Sequence, residues 1–341
     1  MAVVSDERKG LAALCLRSGL WALSGVYALF LAGRGWFDFL LGYQAPALDC
    51  PVVSVGNITW GGTGKTPLVA LVVKKLKGLG FRPAVITRAG VDEASLLKEG
   101  LDGVPVLLDR NRFRAGRMAC ERFSADCLVL DDGFQQRSLK KSLELVVLNA
   151  RMPFGNGNLI PRGMLRVPPA RLRNAHWILL NKADSITPEE KGLLLDEVRA
   201  LSPHAQVGEA VYRVTHITSL QGGGGAAAAD FSGKRVGLAA AIGDPQSFRS
   251  TVRGLGIEVC WEQFWPDHHA FSDRELAQGS REAARAGADA LLVTEKDAVK
   301  IRPWLKSGPR VDLPIFAVGI RMDIISGEQD LDGLLRGLPR G

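Results

Sequence analysis

Residues 56–67 read GNITWGGTGKTP, and Gly61, Gly62, Thr63, Gly64, Lys65 and Thr66 within them have the composition of a loop that cradles phosphates. Glycines let backbone N–H groups turn inward around an anion. The lysine reaches the β and γ oxygens of a nucleoside triphosphate, the threonine hydroxyl ligates Mg²⁺, and the following helix aims its positive end at the same charge. The strict form of the loop has a further glycine at position 59, where this chain carries Thr59. A second signal is the apolar run 127–130 followed by Asp131 and Asp132. At the carboxyl end of a parallel strand, acids face the ligand crevice and can hold Mg²⁺ directly or through water. The expected ligands are therefore ATP and Mg²⁺, with Gly61–Thr66 binding nucleotide and Thr66, Asp131 and Asp132 binding metal. Asn181-Lys182-Ala183-Asp184 has the form of a guanine-reading NKxD. A simple strand-end turn explains it too, and both readings stay open.

These groups need a parallel sheet to position them. Short apolar runs at 51–55, 83–87, 104–108, 127–130, 145–148 and 177–180 read as buried strands, and stretches such as 68–79 and 112–123 read as helices between them. Alternation of this kind implies an α/β fold of the P-loop NTPase type. Residues 221–229, QGGGGAAAA, are low in complexity and mark a boundary. The alternation then resumes: strands at 235–241, 258–263, 290–293 and 315–318, helices at 245–255 and 274–286. The expected organisation is an apolar helical segment over 1–50, a P-loop domain over 51–208, a linker over 209–234 and a smaller α/β domain over 235–341.

The chain of 341 residues suits two domains, and its net charge of +7 suits an anionic partner. No stripe of Lys/Arg interleaved with aromatics is present, which argues against nucleic acid. The five cysteines have neither metal-ligand nor redox spacing and fit reduced thiols in the cytoplasm. Between Gly10 and Gly33 the only charge is Arg17. Asp6 and Glu7 argue against a signal peptide. The uncharged run 18–33 is short of the ~20 residues a spanning helix needs. An apolar helix lying in the membrane interface, flanked by Arg8, Lys9, Arg17 and Arg34, is the preferred reading. A helix packed on the protein itself is the alternative.

Five segments together resemble the tetraacyldisaccharide 4′-kinases of lipid A synthesis: SVGNITWGGTGKTP at 54–67, DDGFQQ at 131–136, FGNGNLIPRGMLR at 154–166, WPDHHAF at 265–271 and TEKDAVK at 294–300. The resemblance implies an ATP-dependent transfer of the γ-phosphoryl group to the 4′-hydroxyl of a lipid A disaccharide 1-phosphate. It implies peripheral, monotopic attachment to the anionic cytoplasmic face of the inner membrane. It also implies a catalytic pair, Asp92 and His268, able to take the proton of a poorly nucleophilic sugar hydroxyl. The chain departs from the family pattern where Arg88-Ala89-Gly90 runs almost straight into Val91-Asp92-Glu93, at Gln136 in place of histidine, and at Val167 in place of an acid. A membrane-associated ATPase switch of the partitioning type is the alternative of another class. Trp60 stands where such proteins carry a second lysine, which counts against it.

Overall fold

The strand VVSVG is apolar on both faces, and in the computed structural model all five of its residues are buried. That is the pattern of a central strand with helices on either side. The structure describes residues 11–88, 97, 98, 100–222, 225, 226, 228–267, 269–306 and 311–340. The chain divides into two units, Met1–Val211 with Ile324–Gly341, and Tyr212–Asp323.

The first unit contains α1 (Leu11–Leu40), β1 (Val52–Gly56), α2 (Lys65–Gly78), β2 (Pro83–Thr87), β3 (Val106–Leu108), α3 (Arg112–Phe123), β4 (Cys127–Asp131), β5 (Leu143–Asn149), β6 (Trp177–Asn181), α4 (Pro188–Leu201) and the first residues of β7 (Gln206–Ser219). The strand order is β7-β6-β5-β1-β4-β2-β3, parallel throughout. α2 turns Leu68, Val69, Val72, Val73 and Leu76 to the core, a stripe of helical period. α4 opens with a capping box between Thr187 and Glu190 and a proline in its first turn.

α1 obeys a different rule. Leu20, Ser24, Tyr27, Leu31, Gly35 and Asp38 recur at helical spacing and are wholly or partly covered. Three of them are fastened: the Ser24 hydroxyl donates to the Leu159 carbonyl (2.8 Å), the Tyr27 hydroxyl donates to the Arg166 carbonyl (3.0 Å), and Asp38 pairs with Arg137 (2.6 Å). The other faces expose Trp21, Leu23, Val26, Leu29, Phe30, Trp36, Phe37 and Phe39. Leu14–Leu40 is long and apolar enough to cross a membrane by length and composition.

The second unit contains the rest of β7, then β8 (Gly225–Ala226), β9 (Arg235–Ala241), α5 (Pro245–Arg253), β10 (Glu258–Trp265), α6 (Asp273–Arg285), β11 (Ala290–Thr294), α7 (Glu295–Lys306) and β12 (Ile315–Ser326) up to the boundary. Its strand order is β10-β9-β11-β12-β7, with β8 antiparallel to β7. α8 (Glu328–Arg336) follows in the first unit, where Leu331 and Leu335 are buried. The segment 209–234, expected as a linker, includes much of β7, and the residues from 324 onward, expected in the second domain, group with the first unit. The run QGGGGAAAA drew the expected boundary, whereas the chain passes between units inside two strands.

Candidate functional site

The loop between β1 and α2 is held from several directions. Asn57 Nδ2 donates to the Thr59 carbonyl (2.7 Å) and to Thr63 Oγ1 (2.9 Å). Gln135 Nε2 donates to the Asn57 carbonyl (2.5 Å), and Asn181 Nδ2 donates to the Thr63 carbonyl (2.8 Å). On its outer side the loop pairs with residues 164–166: Trp60 N–H donates to the Met164 carbonyl (2.7 Å) and Arg166 N–H to the Ile58 carbonyl (2.8 Å). Gly61 and Gly64 have φ of 113° and 97°, conformations that side chains with a Cβ resist. Gly64 caps α2 with no side-chain acceptor, and the first turn contains no acid. The free N–H groups of that turn, together with the helix dipole, make an anion site.

Lys65 begins α2, and its Nζ lies 3.6 Å from Asp132 Oδ1. Asp132 follows β4 with φ of 53° and receives Arg166 Nη1 on both carboxylate oxygens at 2.8 Å. Burial pushes the Asp132 carboxyl up, but Lys65, Arg166 and Arg112 outweigh it and hold it below its ordinary value. Asp131 is buried and accepts from Thr87 Oγ1 (2.9 Å). Arg112, buried at the start of α3, donates to the Ile86 carbonyl (2.8 Å) and the Asp132 carbonyl (3.3 Å). Burial disfavours its charge, and Asp131 and Asp132 offset that in part. The turn after Asp132 crosses directly over β1. A Cβ on Gly56 would lie 2.5 Å from Phe134 Cβ, and one on Gly133 would lie 2.6 Å from Ser54 Oγ.

The structure thus gathers Gly61, Gly62, Thr63, Gly64, Lys65, Thr66, Asp131 and Asp132 around the carboxyl ends of β1 and β4. The hydroxyl and two carboxylates are oxygen donors, the type that suits Mg²⁺, which is commonly held by one or two carboxylates and phosphate. Asp92 and His268 lie outside the described residues. Asn57, Thr87, Arg112, Gln135, Arg166 and Asn181 carry the polar framework. Of these, Asn57, Gln135, Arg166 and Asn181 lie in the motifs legible in the sequence, which do not by themselves assign the contacts these side chains make. Gln136 donates to Ser138 Oγ (2.7 Å), and Val167 is buried.

In the second unit, the segments around 267 and 297 form their own network. Lys296 Nζ donates to Asp267 Oδ1 (2.8 Å), and Lys300 Nζ to the His269 carbonyl (3.2 Å). His269 stacks on Trp265 at 5.9 Å and hydrogen-bonds Glu275 Oε1 (3.1 Å). The backbone and side chain of Ser272, then His269, hold the Glu275 carboxyl down to about 2. Asp297 is buried, which pushes its carboxyl up; it accepts from Thr294 Oγ1 (2.7 Å) and Ala241 N–H (3.1 Å).

Comparison with known proteins gives a consistent picture. A family model described as "Tetraacyldisaccharide-1-P 4'-kinase" matches residues 16–90 and 89–338. A protein of Anaeromyxobacter sp. (strain Fw109-5) named "Tetraacyldisaccharide 4'-kinase" is 37% identical over 356 residues, covering 96% of this chain and 93% of its own. One of the same name from Syntrophus aciditrophicus is 35% identical over 312 residues, 83% of this chain and 82% of its own. The crystal structure of LpxK from Aquifex aeolicus in complex with ATP superposes with a TM-score of 0.68 at 24% identity, covering 94% of this chain and 98% of that one. At that identity it supports the fold.

Proposed function

The chain belongs to the tetraacyldisaccharide-1-P 4′-kinase family, and from that premise we propose how its own residues carry out the reaction. It is an ATP-dependent kinase of lipid A biosynthesis, transferring a phosphoryl group to the 4′ position of its disaccharide acceptor. The observation that carries the site assignment is the chain Lys65–Asp132–Arg166 beside the uncapped start of α2.

In this reading the N–H groups of loop 61–66 and the first turn of α2 hold the phosphates, and Lys65 stands against the β and γ oxygens. Phosphoryl transfer needs little covalent help from the protein. Positioning and charge stabilisation are its main contributions. Thr66, Asp131 and Asp132 are the groups that would hold Mg²⁺, which when bound neutralises charge on the phosphates. Arg166 keeps Asp132 oriented and ionised. Asp92 and His268 take the proton of the acceptor 4′-hydroxyl as its oxygen attacks phosphorus, while the bond from the γ phosphorus to the leaving ADP oxygen breaks. The acceptor is a lipid A disaccharide 1-phosphate. A partitioning-type switch has no use for a catalytic Asp92–His268 pair.

α1 lies in the surface of the inner membrane on its cytoplasmic side, without spanning it. Its anchors at Ser24, Tyr27 and Asp38 fasten it along the first unit over about 21 Å. A helix fastened over that length cannot also cross the ~30 Å hydrocarbon core without dragging polar protein surface into it. Its exposed tryptophans, phenylalanines and leucines suit the boundary between headgroups and acyl chains.

The experiment is transfer of labelled γ-phosphate from ATP to purified disaccharide 1-phosphate in detergent. We expect a 4′-phosphorylated product, and a rate reduced on the order of 10²-fold or more in Lys65→Ala, the scale of losing a charge-stabilising group. No product, or a Lys65→Ala rate within a few-fold of wild type, would sink the assignment.

A further inference from the structure

A groove of about 780 Å³ opens in the first unit; Phe134 and Gln136 of the turn after β4 line one part of it, and the cationic part lies elsewhere. Lys140 and Lys141 line it just before β5, Asn174–His176 just before β6, and His204 just before β7. These are the amino ends of parallel strands, whereas loop 57–64, Asp131 and Asn181 stand at carboxyl ends. A strand of five residues separates the two ends by about 17 Å.

The lining is strongly cationic. Arg137, Lys140, Lys141, Arg171 and Arg173 contribute to it, and Glu144 is its one acid. Glu144 is already paired with Lys141, and Arg137 with Asp38 of α1 (2.6 Å). Among the described residues no hydrogen bond or ion pair holds the side chains of Lys140, Arg171 or Arg173. Arg171 is partly buried, and burial, then Arg137 and Arg173, disfavour its charge against the single opposing influence of Glu144. Arginines crowded in a groove with one spoken-for carboxylate are complementary to an incoming phosphate, whose oxygens match the guanidinium fork. The groove also adjoins the end of α1: Tyr43 lines it, and Trp36, Phe37, Phe39 and Leu40 are exposed nearby in the sequence.

We propose that this groove is a second anion site, distinct from the nucleotide loop, which takes the phosphate of an anionic lipid headgroup in the membrane on which α1 lies. The lipid source rests on the reading of α1 given above; the anion site does not. Phosphate binding here adds a charge-dependent anchor to an apolar one, and two such signals hold a peripheral protein far better than one.

The test compares wild type with Arg171→Gln/Arg173→Gln on vesicles of phosphatidylcholine, alone or with phosphatidic acid added. Wild type is expected to bind the acidic vesicles more tightly, and the double variant to lose about 30-fold of that affinity, the contribution of two cations at an anionic surface. Its binding to neutral vesicles stays at the wild-type level, and a wild-type urea unfolding midpoint shows it folded. Arg117→Gln/Arg122→Gln removes the same charge from α3 and is expected to lose at most a few-fold. Equal losses from both double variants, no loss from the first, or a matching loss on neutral vesicles would overturn the proposal. A second arm titrates glycerol phosphate into Lys65→Ala, with and without the groove substitutions. Binding abolished by them, but no vesicle effect, would replace the lipid with a soluble phosphate. Failure of wild type to bind any vesicle would refute the α1 reading, and the titration would still decide the groove.

Discussion

Arg166 joins three parts of the first unit through different atoms. Its guanidinium holds Asp132, its N–H donates to the Ile58 carbonyl, and its carbonyl accepts the Tyr27 hydroxyl of α1. The guanidinium also lies 5.6 Å over the Trp60 ring. Arg166→Gln removes one of the cations that keep Asp132 below its ordinary value. A depressed carboxyl stabilises the native state above its unfolded value and loses that stabilisation as pH falls through the folded one. The variant should therefore be less stable than wild type near neutral pH, with the gap narrowing at acid pH, below the ordinary aspartate value of about 4. Urea unfolding in both ranges checks this, and a gap independent of pH would mean that Arg166 acts through something other than the Asp132 charge. The proposed proton acceptors make a separate prediction. His268→Ala should lower kcat strongly and change the KM for ATP little, and adding Asp92→Ala should cost little more, since residues acting as a unit are not additive. Losses that multiply would assign them independent roles.

At the scale of elements, the DDGF turn crosses β1 at a close approach. Gly56→Ala would drive a methyl into Phe134 backbone and Cβ, which cannot swing aside as a long side chain would. We expect a loss of about 1–3 kcal/mol, the usual cost of overpacking, together with weakened ATP binding because Phe134 and loop 57–64 share that wall. A variant as stable as wild type, by thermal or urea unfolding, would show that the turn can retreat. The glycine loop, the acidic strand end and the parallel alternation were legible in the sequence because each rests on local chemistry: glycine at positive φ, a continuous apolar run, an acid where the run stops. Arg112 was not, because an arginine at a helix start reads as a surface cation until two carbonyls are found to receive it. The docking stripe of α1 was hidden for the opposite reason. Ser24, Tyr27 and Asp38 face the protein while most of the large apolar residues face away, the reverse of the amphipathic rule from which a buried helix face is ordinarily inferred.

At the scale of the whole chain, the first unit is discontinuous in sequence, and its last helix is the part that sequence reasoning assigned elsewhere. α8 carries two leucines into the core and two acids, Glu328 and Asp332, to Lys75 of α2 at 2.6 and 2.7 Å. Lys75 is mostly covered, and α2 is the helix that begins at Lys65, so α8 braces the helix that follows the glycine loop. Just before it, Gly327 at φ 74° passes so close to β7 that a Cβ would lie 2.6 Å from the Val207 carbonyl. Burial of two leucines contributes about 1.5–3 kcal/mol each, a large share of the ~5–15 kcal/mol that holds an ordinary domain. A fragment of residues 1–211 should therefore lack a cooperative unfolding transition and bind ATP weakly. The same fragment joined by a flexible linker to 324–341 should recover both, since the linker replaces the second unit only as a tether. Calorimetry with and without ATP distinguishes the two. If the fragment 1–211 alone unfolded cooperatively and bound ATP as the full chain does, α8 would be an appendage, and the support it lends α2 would have to come from the sheet.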